Sequence, residues 1–251
     1  MKNIVIVGGG IVGLAVAYKL SFNKNLNIIV LEKESDVGKH QSTHNSGVLH
    51  CGLYYKPGSL KSILSVEGIK QMTEFCKKYN IPHEICGKLV VSTNQEESIK
   101  LNELFDRGTK NGLKNLKRLN KQEMLEIEPN VGGIEALHVP QEGIVDYKKV
   151  IQKLSELITN SGHTIKLNSK VIDITNDTVF TENDRFCYDF LINLVTPFII
   201  NAYKNKTYNP VVVSFNRKRM VNHTFGPYCY CLEGVIELIG ELNPQYILDI
   251  N

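Results

Sequence analysis

Along the first 193 residues, short apolar runs alternate with segments whose apolar residues recur at helical spacing. This alternation predicts a mixed α/β fold. The chain opens with an apolar strand at 3–7, a glycine-rich turn at 8–13, a helix that reaches residue 20, and a second apolar strand at 27–31. A strand, helix and strand in this order place the two strands side by side in a parallel sheet.

Later segments repeat these patterns and predict further elements. Helices are expected at 59–79, 95–109, 121–128 and from the N-cap Asp146, and strands at 87–93, 134–139, 164–167, 170–175 and 190–193. This order favours an α/β fold in which a discontinuous Rossmann-like domain carries an inserted α+β substrate domain. The predicted segments are a first nucleotide-binding part at 1–80, the insert at 81–142, a return segment at 143–193 and an unassigned tail at 194–251.

The turn at 8–13 has the glycine spacing of a dinucleotide-binding site. Gly8 permits a tight turn, Gly10 lets the backbone approach a pyrophosphate, and Gly13 lets the helix lie close to the sheet. Glu32 ends the second strand and can accept hydrogen bonds from a ribose, which makes NADP the least expected ligand. These residues alone leave FAD and NAD open, and a purely structural glycine turn is the alternative.

The loop at 39–58 is unusually rich in histidine, tyrosine, hydroxyl and amide side chains. It is too polar for a core segment, and loops that follow a nucleotide-binding unit often carry the active site. The alternative is a surface loop whose histidines cap turns.

Composition and charge exclude several classes of protein. The 251 residues are 42% hydrophobic and 22% charged, a profile of globular domains rather than of collagen-like, low-complexity or disulfide-scaffold chains. The net charge of +3 comes without a basic stripe, so we expect no nucleic-acid partner. The six cysteines lack the spacing of zinc ligands, so we expect no metal site.

The sequence also bears on membranes and targeting. No apolar run reaches the ~18 residues of a membrane span. The glycine turn starts so near the first residue that we expect no transit peptide, which favours the cytoplasm. Peripheral attachment at the inner membrane face is the alternative for an enzyme that reduces quinone.

Several separate segments resemble one family, the L-2-hydroxyglutarate oxidases/dehydrogenases, which are FAD enzymes of the D-amino-acid-oxidase-like superfamily. The segments are 40–61, 86–91, 126–129, 138–140 and 143–147, and the resemblance covers about residues 1–193. There are two departures. Ser42 and Thr43 stand where the family usually has Thr-Gly, and the chain after 193 does not continue into the family's Cys-Ala-Gly-like turn.

The resemblance implies FAD rather than NAD, and hence a Rossmann-like FAD-binding domain. It implies that the ADP half contacts Gly8, Gly10, Gly13 and Glu32. It further implies that Val171 lies beside the adenine and that the pyrophosphate and flavin ring lie along Ser42, Thr43, Asn45, Ser46 and Gly47.

The reaction that the resemblance implies is oxidation of a small 2-hydroxy acid, most simply L-2-hydroxyglutarate to 2-oxoglutarate. His50 is the expected base and His44 the second candidate, because an imidazole titrates near neutral pH. Tyr54, Tyr55 and Lys56 are candidates for contacts with substrate carboxylates, with ordinary rim packing as the alternative.

Two other functions remain open. One is a related flavin enzyme that acts on glycerol 3-phosphate or an amino acid. The other is a truncated or frame-shifted, inactive FAD-binding fragment, because the resemblance ends near residue 193. The electron acceptor is open among oxygen, quinone and an electron-transfer protein.

Overall fold

The computed structural model describes residues 1–194, which form two compact units. The first unit combines Met1–Asn45 with the described residues from Tyr147 to Leu194, and the second unit is Ser46–Asp146. The second unit begins earlier than the predicted insert at 81–142. Which segments serve the cofactor stays a prediction, because compactness does not identify a ligand. The predicted tail at 194–251 lies outside the described residues except for Leu194.

The described residues form thirteen strands and five helices. In chain order the strands are β1 (Lys2–Val7), β2 (Leu26–Leu31), β3 (Val48–Leu49), β4 (His83–Glu84), β5 (Lys88–Ser92), β6 (Lys117–Asn120), β7 (Glu135–Val139), β8 (Gly143–Val145), β9 (Thr164–Lys166), β10 (Val171–Ile174), β11 (Thr178–Thr181), β12 (Arg185–Cys187) and β13 (Phe190–Asn193). The helices are α1 (Ile11–Leu20), α2 (Leu60–Tyr79), α3 (Gln95–Lys110), α4 (Lys121–Ile127) and α5 (Tyr147–Asn160).

The first unit is built on a four-stranded parallel sheet in the order β13-β1-β2-β9. The central strand β1 ends in four buried residues, a near-continuous apolar run typical of a strand covered on both faces. Helices α1 and α5 pack against each other. The buried face of α5 explains why its apolar residues recur at helical spacing: Val150, Ile151, Leu154 and Ile158.

A second sheet of the first unit is antiparallel, in the order β10-β11-β12. Its buried Ile174 and Val179 share a core cluster with Val5, Leu31 and Leu191 of the parallel sheet. The sequence analysis predicted β10 but missed β11 and β12. Both are short strands, and their apolar content is too low to stand out from a polar loop.

The second unit holds two three-stranded antiparallel sheets and the helices α2, α3 and α4. In the sheet β5-β7-β6, Leu119 and Ala136 pair and pack with Met124 of α4. In the sheet β3-β8-β4, Leu49 pairs with Gly143. A Cβ at Gly143 would lie 2.1 Å from the carbonyl oxygen of Glu84 in β4, so only glycine fits where β8 runs beside β4.

Side-chain caps account for where the helices of the second unit begin. Ser59 accepts a hydrogen bond from the backbone N–H of Ser62 at the start of α2, and Asn94 does the same for Glu97 at the start of α3. Asn120 and Glu123 form a reciprocal capping box at α4. All three helices therefore begin within one residue of the predicted positions.

Candidate functional site

In the glycine turn of the first unit, the backbone at the start of α1 lies in close contact with the backbone at the end of β1. Gly8 has a φ of 112°, in the region that favours glycine. A Cβ on Gly13 would lie only 1.9 Å from the carbonyl oxygen of Gly8. The turn therefore closes only with glycine at 13, which leaves the first N–H groups of α1 at the end of the parallel sheet, where anions bind in this type of fold.

Glu32 is buried and holds this turn in place. Its Oε2 accepts a hydrogen bond of 2.7 Å from the backbone N–H of Gly9, and its Oε1 accepts one of 3.0 Å from the N–H of Glu34. Each carboxylate oxygen can accept more than one hydrogen bond, so these two bonds leave acceptor capacity for a ribose hydroxyl. Glu32 directly follows β2, and its contact with a ribose stays a prediction.

The segment at 38–45 lies against the start of α1. Ser42 Oγ accepts a hydrogen bond of 3.0 Å from the backbone N–H of Ile11, and a Cβ on Gly10 would lie 3.2 Å from that Oγ. Thr43 Oγ1 donates to the carbonyl of Gly38 over 2.7 Å. The hydroxyls of Ser42 and Thr43 thus shape the loop and the helix start, beside the region where the pyrophosphate is predicted.

Three other predicted residues of the first unit have defined positions. The Asn45 side-chain amide donates to the carbonyl of Ser42 over 3.0 Å. The exposed His44 donates from Nδ1 to the carbonyl of His40 over 2.8 Å, which leaves Nε2 as its basic nitrogen. Val171 begins β10 and packs, half-buried, against the cluster that includes Val7 of β1.

In the second unit, His50 lies beside a buried pair of charges. Because Leu49 pairs with Gly143 in antiparallel register, the next pair along the strands is His50 and Glu142. His50 Nδ1 lies 3.5 Å from Glu142 Oε2, at the outer limit of a hydrogen bond. The same Oε2 pairs with the ammonium of Lys88.

Glu142 is fully buried and stays ionised. Burial alone raises the pKa of a carboxyl group, but the contacts with His50 and Lys88 outweigh it and lower the pKa of Glu142 from 4.5 to about 2. Its Oε1 also accepts hydrogen bonds from the backbone N–H of Cys51, at 3.3 Å, and from the Cys51 thiol, at 3.4 Å. Burial and the neighbouring Glu142 charge raise the pKa of this thiol, so Cys51 is a donor here and not a nucleophile.

Tyr54 joins this cluster through Lys88, whose ammonium lies 4.8 Å from the centre of the Tyr54 ring. Burial opposes the charge on Lys88, yet the nearby Glu142 outweighs burial and raises the pKa of Lys88. The turn that carries Tyr54 is fixed from α3, because Arg107 donates to the Tyr54 carbonyl over 3.0 Å. Tyr55 is half-buried on the same turn, and Lys56 is exposed.

Two residues of this cluster, Lys88 and Glu142, were missed as site residues by the sequence analysis. A signal existed for Lys88, a lone cation at the start of an otherwise apolar strand. No such signal marks Glu142, because it stands in a polar turn and its burial depends on the pairing of β3 with β8. Ser46 and Gly47 lie next to β3 in the same unit, and Gly47 has a φ of 69°.

The geometry of the first unit defines a dinucleotide-binding protein of the Rossmann type, and the family comparison is more specific. Residues 3–199 match the family of FAD dependent oxidoreductases. The chain belongs to this family. The predicted α/β fold class, the predicted superfamily and FAD as the family's cofactor are thereby confirmed.

Curated relatives narrow the resemblance further. The chain is 45% identical over 195 residues to L-2-hydroxyglutarate dehydrogenase of Indibacter alkaliphilus, which covers 76% of this chain and 49% of the relative. It is 48% identical over 174 residues to the mitochondrial L-2-hydroxyglutarate dehydrogenase of Dictyostelium discoideum, covering 66% and 39%. For the human mitochondrial enzyme the identity is 39% over 193 residues, covering 76% and 42%. The chain thus spans half or less of the length of these relatives, and the predicted resemblance to L-2-hydroxyglutarate dehydrogenases is confirmed.

Solved structures agree on the fold. FAD-bound L-alpha-glycerophosphate oxidase from Mycoplasma pneumoniae is similar with a TM-score of 0.67 and 27% identity, covering 76% of this chain and 53% of that one. Glycine oxidase from Geobacillus kaustophilus has a TM-score of 0.71 at 20% identity, covering 78% and 56%, and shows the fold alone. Within residues 1–194, no helix has the length and apolar character needed to cross a membrane.

Proposed function

We propose that this chain carries the FAD-binding segments and the proton-accepting histidine of a 2-hydroxy-acid oxidoreductase whose substrate is L-2-hydroxyglutarate. The observation that carries the cofactor half is the glycine turn, where α1 approaches the Gly8 carbonyl so closely that only glycine fits at position 13. The relatives named for L-2-hydroxyglutarate support the substrate half.

The residues we assign to the cofactor are those of the turn, of the segment that follows it and of the returning strand. The ADP half is assigned to Gly8, Gly10, Gly13 and Glu32, with Val171 beside the adenine. The pyrophosphate and the flavin are assigned to Ser42, Thr43, Asn45, Ser46 and Gly47. FAD, when bound, supplies the acceptor for the hydride that leaves the α-carbon of a 2-hydroxy acid.

The chain itself must take the hydroxyl proton of the substrate. When the O–H bond breaks, its electron pair stays on oxygen and forms the carbonyl of the 2-oxo acid, while the proton moves to a base. We assign this base to His50, because its Nδ1 lies 3.5 Å from Glu142 Oε2, and a carboxylate at this distance attracts the positive charge that an imidazole carries after it accepts a proton. His44 is the second candidate and keeps Nε2 as its basic nitrogen.

A dicarboxylic 2-hydroxy acid also needs cationic or hydrogen-bonding contacts for its carboxylates. We assign these to Tyr54, Tyr55 and Lys56. Support comes from the fixed turn that carries Tyr54 and from the exposure of Lys56. Oxygen, quinone and an electron-transfer protein remain the candidate electron acceptors, and the cytoplasm remains the expected compartment, with the inner membrane face as its alternative.

Glycerol 3-phosphate is the second candidate substrate. The glycerophosphate oxidase of Mycoplasma pneumoniae is 27% identical in sequence to this chain, whereas the glycine oxidase is 20% identical. The test is anaerobic mixing of the purified, FAD-reconstituted full chain with each substrate in turn. We expect L-2-hydroxyglutarate to bleach the flavin absorbance, and its D-enantiomer, glycerol 3-phosphate and glycine to leave it unchanged. Bleaching by glycerol 3-phosphate or glycine alone would replace the proposed substrate, and a protein that binds no flavin would support the inactive fragment.

A further inference from the structure

The buried ion pair of Glu142 and Lys88 lies directly behind the histidine that the proposed function uses as a base. Glu142 has no exposed side-chain surface, whereas 24% of the His50 side chain is exposed. His50 Nδ1 is itself buried, and within hydrogen-bond geometry it has no partner among the described residues of the free protein. The imidazole therefore faces Glu142 with Nδ1, and the exposed surface of the side chain belongs to its other atoms.

The charge on Glu142 decides which nitrogen of neutral His50 carries the proton. A deprotonated Nδ1 would direct its lone pair at a carboxylate oxygen 3.5 Å away, which is repulsive. A protonated Nδ1 directs an N–H at the same oxygen, which is attractive, and in a histidine the partner of one nitrogen sets the role of the other. Catalytic contacts of this kind are often long in the free protein and shorten when substrate binds.

Neighbouring residues keep the Glu142 carboxylate in place and ionised beside the imidazole of His50. Lys88 compensates its charge, and the Cys51 backbone and thiol hold the second carboxylate oxygen. The lowered pKa of Glu142 makes its carboxylate a weak acceptor for a proton held by its neighbour. The titratable groups that face Glu142 from its packed elements are His50, Lys88 and Cys51, and Tyr54 lies behind Lys88.

We propose that Glu142 is a positioning residue that fixes His50 with its proton on Nδ1, so that Nε2 is the atom that accepts the substrate's hydroxyl proton. The structure contributes the register of β3 with β8, which brings His50 opposite Glu142, and the start of β5, which supplies Lys88. The inference rests on the proposed function for the identity of the reaction but not for the state of the imidazole.

The first test is a measurement on the unmodified full chain. ¹⁵N NMR of the histidine-labelled protein at a pH where His50 is neutral distinguishes the two tautomers, and a His50→Gln variant assigns its signal among the seven histidines. We expect the tautomer with hydrogen on Nδ1. A main population with hydrogen on Nε2 would overturn the proposal without need of any variant at Glu142.

The second test replaces both members of the ion pair at once. The double variant Glu142→Leu, Lys88→Met leaves no buried charge without its partner, so we expect it to fold. The Nδ1–H tautomer should then lose its preference, and Glu142→Asp should retain part of it. The control is Glu135→Gln, which breaks the ion pair with Arg118 in the other sheet of the unit. An unchanged tautomer in the double variant, or an equal change in the control, would contradict the proposal.

Kinetics separate the inference from the proposed function. In the FAD-loaded full chain, the double variant should reduce the rate of flavin reduction by L-2-hydroxyglutarate about 100-fold, the lower end of the contribution of a general base, with a smaller change in KM. An unchanged rate in the double variant would overturn the positioning role. If the wild-type chain shows the expected tautomer but oxidises none of the candidate substrates, the proposed function fails and the orientation of His50 by Glu142 stands.

Discussion

The two units of the molecule hold their candidate site residues by opposite means. In the first unit the site is shaped by backbone atoms that approach because side chains are missing, as at Gly13 against the Gly8 carbonyl. In the second unit it is shaped by charged side chains around the fully buried, ionised Glu142, with Lys88 and His50 only partly exposed. We therefore expect the first site to be disrupted by an added side-chain atom, and the second site by removal of a charged side chain.

The largest effect is expected for Gly13→Ala. The added methyl carbon would overlap the Gly8 carbonyl at 1.9 Å, so either the helix or the turn must move. We expect the free energy of unfolding to fall by about 4 kcal/mol, at the upper end of overpacking effects. We also expect the variant to bind no FAD. Urea unfolding and flavin content of the purified protein measure both.

Gly132→Ala is the matched control, because no heavy atom lies within 4 Å of its added Cβ and its φ is not left-handed. Equal losses in the two variants would mean that close approach at Gly13 is not what shapes the turn.

Glu142→Gln is expected to have the next largest effect. It leaves the ammonium of Lys88 buried without its counter-charge, at a cost of about 3 kcal/mol in the free energy of unfolding. The double variant with apolar residues at both positions should recover most of this loss. A Glu142→Gln protein as stable as the wild type would show that the pair is not buried as described.

The low pKa of Glu142 gives this comparison a pH dependence with a definite sign. The folded-state pKa of about 2 lies below the ordinary 4.5, so the carboxylate contributes stability that is present above pH 4.5 and is lost as the pH falls towards 2. The shift corresponds to roughly 3 kcal/mol. Unfolding free energies measured across this range should fall steeply in the wild type and less steeply in Glu142→Gln.

Glu32→Ala tests the one charged group of the first site. Removal of the carboxylate leaves the Gly9 N–H without its acceptor inside the protein. We expect the free energy of unfolding to fall by about 2 kcal/mol. FAD affinity should fall together with stability, because the same carboxylate holds the turn. A drop in affinity with unchanged unfolding free energy would restrict Glu32 to contact with the ligand.

The smallest effect is expected for Ser42→Ala. It deletes the acceptor for the Ile11 N–H at the start of α1, an effect comparable to loss of a helix cap and worth about 1 kcal/mol. Ser42→Thr keeps the hydroxyl and is the control. Thermal unfolding of the two variants separates loss of the hydrogen bond from a change in side-chain size.

These differences also explain how much could be predicted from the sequence. The turn and the paired strands β1 and β2 were predictable because each position there is restricted locally, by φ at Gly8 or by space at Gly13. The resemblance at 40–61 located His50 for the same reason, through a contiguous motif. Local restrictions of this kind are visible in a single sequence.

The partner of His50 could not be predicted in this way. Glu142 is 92 positions from His50 along the chain and meets it only through the register of β3 and β8, two strands too short to show an apolar period. The strand start that brings Lys88 to the same carboxylate is a third distant element. A buried charge cluster assembled from three separate segments becomes visible only when the fold is known.

The central claim is that this chain binds FAD and passes electrons to it from L-2-hydroxyglutarate. The most direct measurement is the absorbance of the FAD-reconstituted full chain during anaerobic titration with that substrate, with His50→Gln beside it. We expect stoichiometric flavin that is bleached in the wild type and bleached at least about 100-fold more slowly in His50→Gln. Flavin that remains oxidised in the wild type, or is bleached equally fast in His50→Gln, would contradict it.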